Sequence, residues 1–188
     1  RRGGSSPRDV EVALEIDGTS LKFQERNGRF VESLEVSIVA VDERAKVQGG
    51  DRQTFDLNLM PETHARVLKS GVRMLSRIDL PPGRYQIRVG AHETSGATVA
   101  ATPLDVEVPD YAKLPLAMSG VLLSTSNDSG IAVTANPDAL SQDVLPGRPV
   151  VRRIFERTET LTAYLEAYDN VLPTAHALDY VLSVRSGA

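Results

Sequence analysis

The sequence contains no cysteine and no tryptophan, and aromatic residues make up only 5% of its 188 residues. Without cysteine, the chain has no disulfide, iron–sulfur cluster, thiolate zinc site or thiol nucleophile. Sugar-binding sandwiches usually display aromatic platforms, so the shortage of rings weighs against a carbohydrate ligand. No stretch approaches the roughly 20 apolar residues that span a bilayer, so we expect no membrane insertion.

A large excess of charge of one sign is also missing. Lys and Arg number 21 against 25 Asp and Glu, which gives a formal net charge of −4. A nucleic-acid binder would carry a basic footprint, so we expect no nucleic-acid partner. A chain of this length buries about 70% of its unfolded surface, which is enough to fold without a metal. Residues 1–8 lack apolar periodicity and are expected to be a linker.

An alternation of apolar and polar residues runs through most of the chain and indicates half-buried strands. Turn signals recur about every 8–12 residues, including Asn-Gly within 26–29 and Gly-Gly within 48–51. One helix is predicted at 61–70, with Pro in its first turn and Gly after its last. We therefore expect an all-β protein with an immunoglobulin-like or fibronectin-like β-sandwich over residues 9–110. Its candidate core is Val36, Ile38, Phe55, Leu57, Tyr85, Ile87, Val89, Val106 and Val108.

A second, incomplete β module is predicted after the sandwich. Residues 111–149 are expected to form a linker strand and an irregular loop, and residues 150–188 a partial β module. A complete sandwich of this type has about seven strands, so we expect the missing strands from beyond Ala188, from the first sandwich or from a partner chain. An edge strand at 178–184 would invite strand addition. The alternative is that residues 116–188 pack as a satellite layer on the first domain. The strand patterns of this module are Val150–Phe155, Leu161–Tyr168 and Leu178–Val184.

Motifs that carry chemistry are scarce. The histidines His64, His92 and His176 are far apart, and no two of them have the i, i+4 spacing of a helical zinc pair. The sequence has no GxSxG elbow and no phosphate-binding glycine loop, and the oxygen-rich stretch 124–130 lacks EF-hand spacing. We therefore expect no enzymatic activity, no cofactor and no bound metal.

Three motifs make the sequence less generic: LPPGRYQIRVGAHETSG at 80–96, PLDVEVPDY at 103–111 and LPLAMSGVLL at 114–123. They resemble the region that follows the von Willebrand factor A-like domain in bacterial VWFA-related proteins, and the resemblance covers about residues 30–185. Within the first motif, Tyr85 resembles a tyrosine corner. A later strand of that family is matched by Phe155, Leu161, Tyr164, Glu166, Tyr168 and Asn170.

The resemblance implies an exported protein located in the periplasm, on the cell surface or outside the cell. The A domain and its DxSxS metal motif are absent from these residues, so the metal-dependent adhesion of the family is carried onto none of them. What remains is a non-catalytic β-sandwich spacer or protein-interaction module. Its partner would be another protein, or the rest of the parent chain, bound through β-edge pairing.

A second hypothesis is a carbohydrate- or ligand-binding accessory module of a secreted enzyme, or a small hydrolase on the same fold. Tyr164 and Tyr168 lie on one strand face and are the candidate platform, although cross-strand packing on the outer face is the plainer interpretation. An open cleft lined by both tyrosines and a histidine would favour this hypothesis. The candidate interaction surface is Tyr164, Tyr168, Leu178, Tyr180 and Leu182.

Overall fold

The computed structural model describes residues 9–94, 98–126, 131–133 and 145–171, with Ala177, Asp179, Val181 and Ser183. The first part of the chain forms β1 (Asp9–Ile16), a 3-10 turn (Gly18–Ser20), β2 (Gln24–Arg26), β3 (Arg29–Asp42), β4 (Val47–Leu59), α1 (Pro61–Ser70), β5 (Val72–Asp79), β6 (Gly83–Glu93) and β7 (Thr98–Val108). It is followed by β8 (Leu116–Met118), β9 (Leu122–Thr125), β10 (Ile131–Val133), β11 (Leu161–Tyr164) and β12 (Ala167–Asp169).

Two sheets face each other, which confirms the expected all-β, sandwich-like fold. The larger sheet has β3 at its centre, with β4 on one side and β6 followed by β7 on the other, and β2 pairs with the start of β3. The smaller sheet has the order β1-β5-β10. Across the described ranges, no helix combines the length and the apolar character needed to cross a bilayer.

The core lies between the inward faces of these sheets, as the period of two predicts. Ile38 and Ile87 are almost fully buried, whereas the neighbouring Arg84 and Arg88 are exposed. Of the nine predicted core residues, Phe55, Val89 and Val106 are half-buried at its margin. The buried core cluster is Ile16, Leu21, Leu34, Val36, Ile38, Ala40, Leu57, Val67, Val72, Met74, Ile78, Leu80, Tyr85, Ile87, Ala91 and Val108.

The tyrosine corner is present as predicted. The Tyr85 hydroxyl donates a hydrogen bond of 2.7 Å to the Pro81 carbonyl oxygen. The ring is buried in the core cluster. This bond satisfies a polar atom that would otherwise be costly to bury, and it fixes the chain where it enters β6.

The hairpin between β2 and β3 turns at Asn27 and Gly28, as predicted, but the prediction of a turn at 48–51 is wrong. The chain turns at 43–46 instead, with Ala45 at φ 59°. Gly49 and Gly50 lie inside β4, where space is short: a Cβ on Gly49 would come within 2.8 Å of Ile78 Cγ2. Gly49 therefore permits close packing of the two sheets, Gly50 permits close approach to the Ile38 carbonyl oxygen of β3, and neither forms a turn.

Helix α1 has the predicted bounds and packs against the 3-10 turn. Its residue Val67 is fully buried. Gly18 lies so close to the helix that a Cβ on it would be 1.9 Å from the Val67 carbonyl oxygen. Gly71 ends the helix at φ 72°, in the left-handed region that favours glycine.

Two expectations for the segment after the sandwich are wrong in part. The stretch expected to be an irregular loop contributes β10, which pairs in parallel with β5 and places Ile131 against the core. Val150–Phe155 forms no strand. Its carbonyl groups are bound by arginines: Arg153 Nη1 donates to three of them and Arg152 Nη1 to that of Ile154. These carbonyl groups therefore accept hydrogen bonds from guanidinium groups, where in a strand they would accept them from the backbone of a neighbouring strand.

Candidate functional site

The second β module is a two-stranded antiparallel ribbon, which we define as residues 116–125 and 161–169. Its strands pair as β9 with β11 and β8 with β12. The predicted strand Leu161–Tyr168 is confirmed as extended, but it is interrupted at Leu165 and Glu166. There the Ser119 N–H donates to the Glu166 carbonyl oxygen at 2.8 Å, and the Glu166 N–H donates to Ser119 Oγ at 2.8 Å.

The polar face of the ribbon is the more buried one, and its apolar face is the more exposed one. Tyr164, Glu166 and Tyr168 are half-buried, whereas the apolar row at 161, 163, 165 and 167 is exposed. The plainer interpretation, in which the tyrosines pack on the outer face, is therefore wrong. We call the half-buried side, which turns towards the sandwich, the inner face, and the exposed side the outer face.

The inner face closes one side of a cleft of about 420 Å³. The opposite walls come from the start of β1, from the end of β7 and from the segment at 149–153. Three of the five tyrosines of the chain line this cleft, namely Tyr111, Tyr164 and Tyr168. The cleft lies where the two sheets of the sandwich meet the ribbon.

Glu166 holds two of these tyrosines together. The Tyr164 hydroxyl donates to Glu166 Oε1 at 2.9 Å, and the Tyr168 hydroxyl donates to Glu166 Oε2 at 2.5 Å. The ring of Tyr111 packs on that of Tyr168 with centroids 4.5 Å apart. These contacts fix the orientation of the carboxylate and of both rings.

The electrostatic environment of the cleft is mainly negative. Burial raises the pKa of Tyr164, and its hydrogen bond to Glu166 and the charges of Glu166 and Glu11 raise this pKa further. Two of the carboxylates that line the cleft are paired with Arg77, which lies 3.5 Å from Asp9 and 3.3 Å from Glu11. The charged side chains that line the cleft are Asp9, Glu11, Glu107, Arg153 and Glu166.

No histidine is among the described residues that line the cleft, so the condition set for the ligand-binding hypothesis is met in part. His64 lies elsewhere, stacked on Phe30 with centroids 3.8 Å apart. His92 lies 3.3 Å from Glu35 on the larger sheet. Within the ranges that the structure describes, no three His, Asp or Glu side chains are grouped to hold a metal ion.

Sequence reasoning missed two residues of this cleft, Tyr111 and Glu166. The alternation of Tyr164, Glu166 and Tyr168 already placed the carboxylate between two tyrosines on one face. Tyr111 gave no local signal, because a contact across 57 positions of sequence is not visible in any periodicity. Of the other candidate residues, Leu178, Tyr180 and Leu182 lie outside the described residues, and Val181 between them is exposed.

The outer face is an apolar surface open to solvent. Its large side chains are between 40% and 61% exposed. On β8, Met118 is paired with Ala167 and extends the apolar row onto the second strand at that end. At the other end, the partners of Ala163 and Leu161 are the half-buried Leu123 and the buried Thr125. The large residues of the outer face are Leu116, Met118, Leu161 and Leu165, and Val121 is exposed at the interruption between β8 and β9.

A buried carboxylate attaches the loop before β11 to the ribbon. Glu159 accepts hydrogen bonds from Arg152 Nη1 at 3.0 Å and Nη2 at 2.5 Å, and from the Thr125 hydroxyl at 2.6 Å. The Glu156 N–H also donates to it at 3.1 Å. The Arg152 hydrogen bonds, followed by that of Thr125, lower the pKa of Glu159 to about 2.

Because the folded-state pKa of Glu159 lies below its ordinary value of 4.5, the carboxylate stabilises the fold above about pH 4.5, and this stabilisation is lost as the pH falls through about 2. We expect Glu159→Gln to lower the free energy of unfolding at pH 7 and to leave it close to that of the wild type near pH 2. Urea unfolding at pH 7, 4 and 2 measures this difference. The control is Glu156→Gln, since only the backbone of Glu156 takes part; an equal pH dependence in both variants would refute the assignment.

No family model, no curated protein and no solved structure matches this chain. The resemblance to VWFA-related proteins therefore remains a prediction.

Proposed function

We propose that this chain is a non-catalytic β-sandwich module through which an exported multidomain bacterial protein of the VWFA-related type binds a protein partner. The sandwich serves as the rigid support, and the outer face of the ribbon is the binding surface. The family and the location outside the cytoplasm rest on the sequence resemblance alone. No reaction is assigned to the chain.

The single observation that supports this proposal is the exposure of the apolar outer face. Scattered apolar residues are normal on a protein surface, but contiguous apolar patches are a feature of interaction sites. Here Leu161, Ala163, Leu165 and Ala167 form one exposed row along the strand, and the exposed Met118 lies opposite the Ala167 end of that row. The half-buried polar residues Tyr164, Glu166 and Tyr168 face the sandwich instead, so this strand directs its apolar row outwards.

We propose that the occupant is an extended strand of the partner with apolar residues at alternate positions. A two-stranded ribbon is marginally stable by itself, and a third strand would extend its ladder and its apolar face together. The ribbon is two strands wide in the described part of the chain. Alternate apolar residues on an added strand would lie on the same side as Leu161 and Leu165.

The test is affinity selection of a random octapeptide library on the full chain, followed by binding measurements with two lysine variants. We expect the selected peptides to carry apolar residues at alternate positions. They should bind at least about tenfold more weakly to the double variant Met118→Lys, Leu165→Lys, since two apolar contacts are replaced by charges. On binding, amide exchange should slow at 161–164.

Val47→Lys is the matched control, because Val47 is as exposed as Met118 but lies on the sandwich. It should leave peptide affinity unchanged. Peptides that bind the double variant as tightly as the wild type would overturn the proposal, and so would selected peptides that slow exchange only elsewhere. Circular dichroism of each variant checks that the fold is retained.

The alternative function, a ligand-binding accessory module, is favoured by one observation, the tyrosine-lined cleft. The cleft lies on the opposite face of the ribbon from the proposed partner surface. The two functions are therefore separable by mutation, because the side chains that serve one do not face the other.

A further inference from the structure

We infer that the cleft between the sandwich and the inner face of the ribbon binds a cationic group of the guanidinium type, such as an arginine side chain of a peptide. The inference goes beyond the proposed function, since it concerns the other face of the ribbon. It rests on the shape of the cleft, on its tyrosine rings and on the carboxylate that they hold.

The cleft is large enough to admit a ligand of side-chain size. A volume of about 420 Å³ falls within the range of small-molecule pockets, about 300–1,000 Å³. Tyr111 and Tyr168 both line the cleft, and their rings pack on each other with centroids 4.5 Å apart. The faces of aromatic rings attract cations, and a planar guanidinium also stacks on them.

The net negative charge of the cleft lining favours a positively charged ligand. Four carboxylates line the cleft, those of Asp9, Glu11, Glu107 and Glu166. Arg77 offsets part of the charge of Asp9 and Glu11. Arg153 is the cation of the described lining, and its Nη1 is directed to backbone carbonyls. An anion would meet a net negative surface, whereas a cation is attracted.

Glu166 is the specific element of the site. Its two oxygens accept from hydroxyls on either side, so the carboxylate is already oriented before a ligand arrives. A preorganised carboxylate binds a guanidinium through charge-assisted hydrogen bonds, which are stronger than those between neutral groups. A sugar would use the rings but would gain little from this charge, so we favour a cation over a carbohydrate.

Intrinsic tyrosine fluorescence can monitor ligand binding to the cleft, because the chain has no tryptophan and three of its five tyrosines line the site. Titration of the full chain with N-acetyl-L-arginine amide, followed by tyrosine fluorescence at low ionic strength, should give a saturable change. N-acetyl-L-citrulline amide has nearly the same shape without the charge. We expect it to bind at least about tenfold more weakly.

Two variants test different parts of the site. Glu166→Gln should weaken arginine amide binding about tenfold by removing the oriented charge. Tyr111→Leu should weaken it severalfold by removing one ring without altering a carboxylate. Glu25→Gln, on the hairpin away from the cleft, is the control for net charge and should leave binding unchanged. If Glu166→Gln fails to fold, Glu11→Gln takes its place.

Equal binding of arginine and citrulline amides would overturn the inference, as would the absence of saturable binding. Unchanged affinity in both Glu166→Gln and Tyr111→Leu would also overturn it, by showing that the ligand binds elsewhere. None of these results affects peptide binding to the outer face, so the failure of one proposal is distinguishable from the failure of the other.

Discussion

Ile87→Ala is expected to lower the free energy of unfolding by about 2–5 kcal/mol, the usual cost of removing a large buried aliphatic side chain. Ile87 is 1% exposed at the centre of β6, where β3 and β7 pair with it from either side. The surrounding strands are fixed by their ladders, so the cavity cannot close fully. Urea unfolding at pH 7 measures the loss.

The neighbouring Arg88→Ala is the control, because Arg88 lies on the opposite face of the same strand and is exposed. Surface changes of this kind usually alter stability by less than about 0.5 kcal/mol. The faces of β6 would be assigned the wrong way round if Ile87→Ala lowered the free energy of unfolding by less than about 1 kcal/mol. The same would follow if Arg88→Ala lowered it by more than Ile87→Ala does.

Gly18→Ala is expected to destabilise the fold by about 3 kcal/mol or more, at the upper end of the cost of overpacking. The added Cβ would lie 1.9 Å from the carbonyl oxygen of Val67 and 2.6 Å from its carbonyl carbon. Both are backbone atoms of α1, so no side-chain rotation relieves the clash. The helix must move away from the 3-10 turn, and Val67 must leave the core.

Gly120→Ala is the matched control, since a Cβ there meets no atom within 4 Å. We expect its stability to stay within about 0.5 kcal/mol of the wild type. Thermal unfolding by circular dichroism compares the two variants. A fully stable Gly18→Ala protein would show that α1 does not dock against the turn as described.

The sandwich was largely predictable because its signals are local. Alternation gave the strands, and Asn27-Gly28 gave the first hairpin. Tyr85 gave the corner, since its hydrogen bond spans only four residues. By contrast, Gly49 and Gly50 carry the same local signal as a turn. The role of Gly49 is set by the side chains of Ile78 and Leu80, which are about 30 positions away and come close only after folding.

The faces of the ribbon could not be predicted from alternation. A period of two separates a strand into two faces but does not say which of them is buried. The usual rule buries the apolar row, here Leu161 and Leu165. The structure half-buries Tyr164, Glu166 and Tyr168 instead, and their mutual hydrogen bonds lower the cost of burying polar atoms.

The orientation of the ribbon is the claim on which both proposed sites depend, and thiol labelling measures it directly because the chain has no native cysteine. Single variants Thr162→Cys and Ala163→Cys place a thiol on the inner and outer faces of adjacent positions in β11. We predict that the Ala163→Cys variant reacts with a maleimide at a rate close to that of an exposed thiol, and that the Thr162→Cys variant reacts several times more slowly. Faster labelling of Thr162→Cys than of Ala163→Cys in a folded chain would contradict the orientation, and with it the partner surface and the cleft.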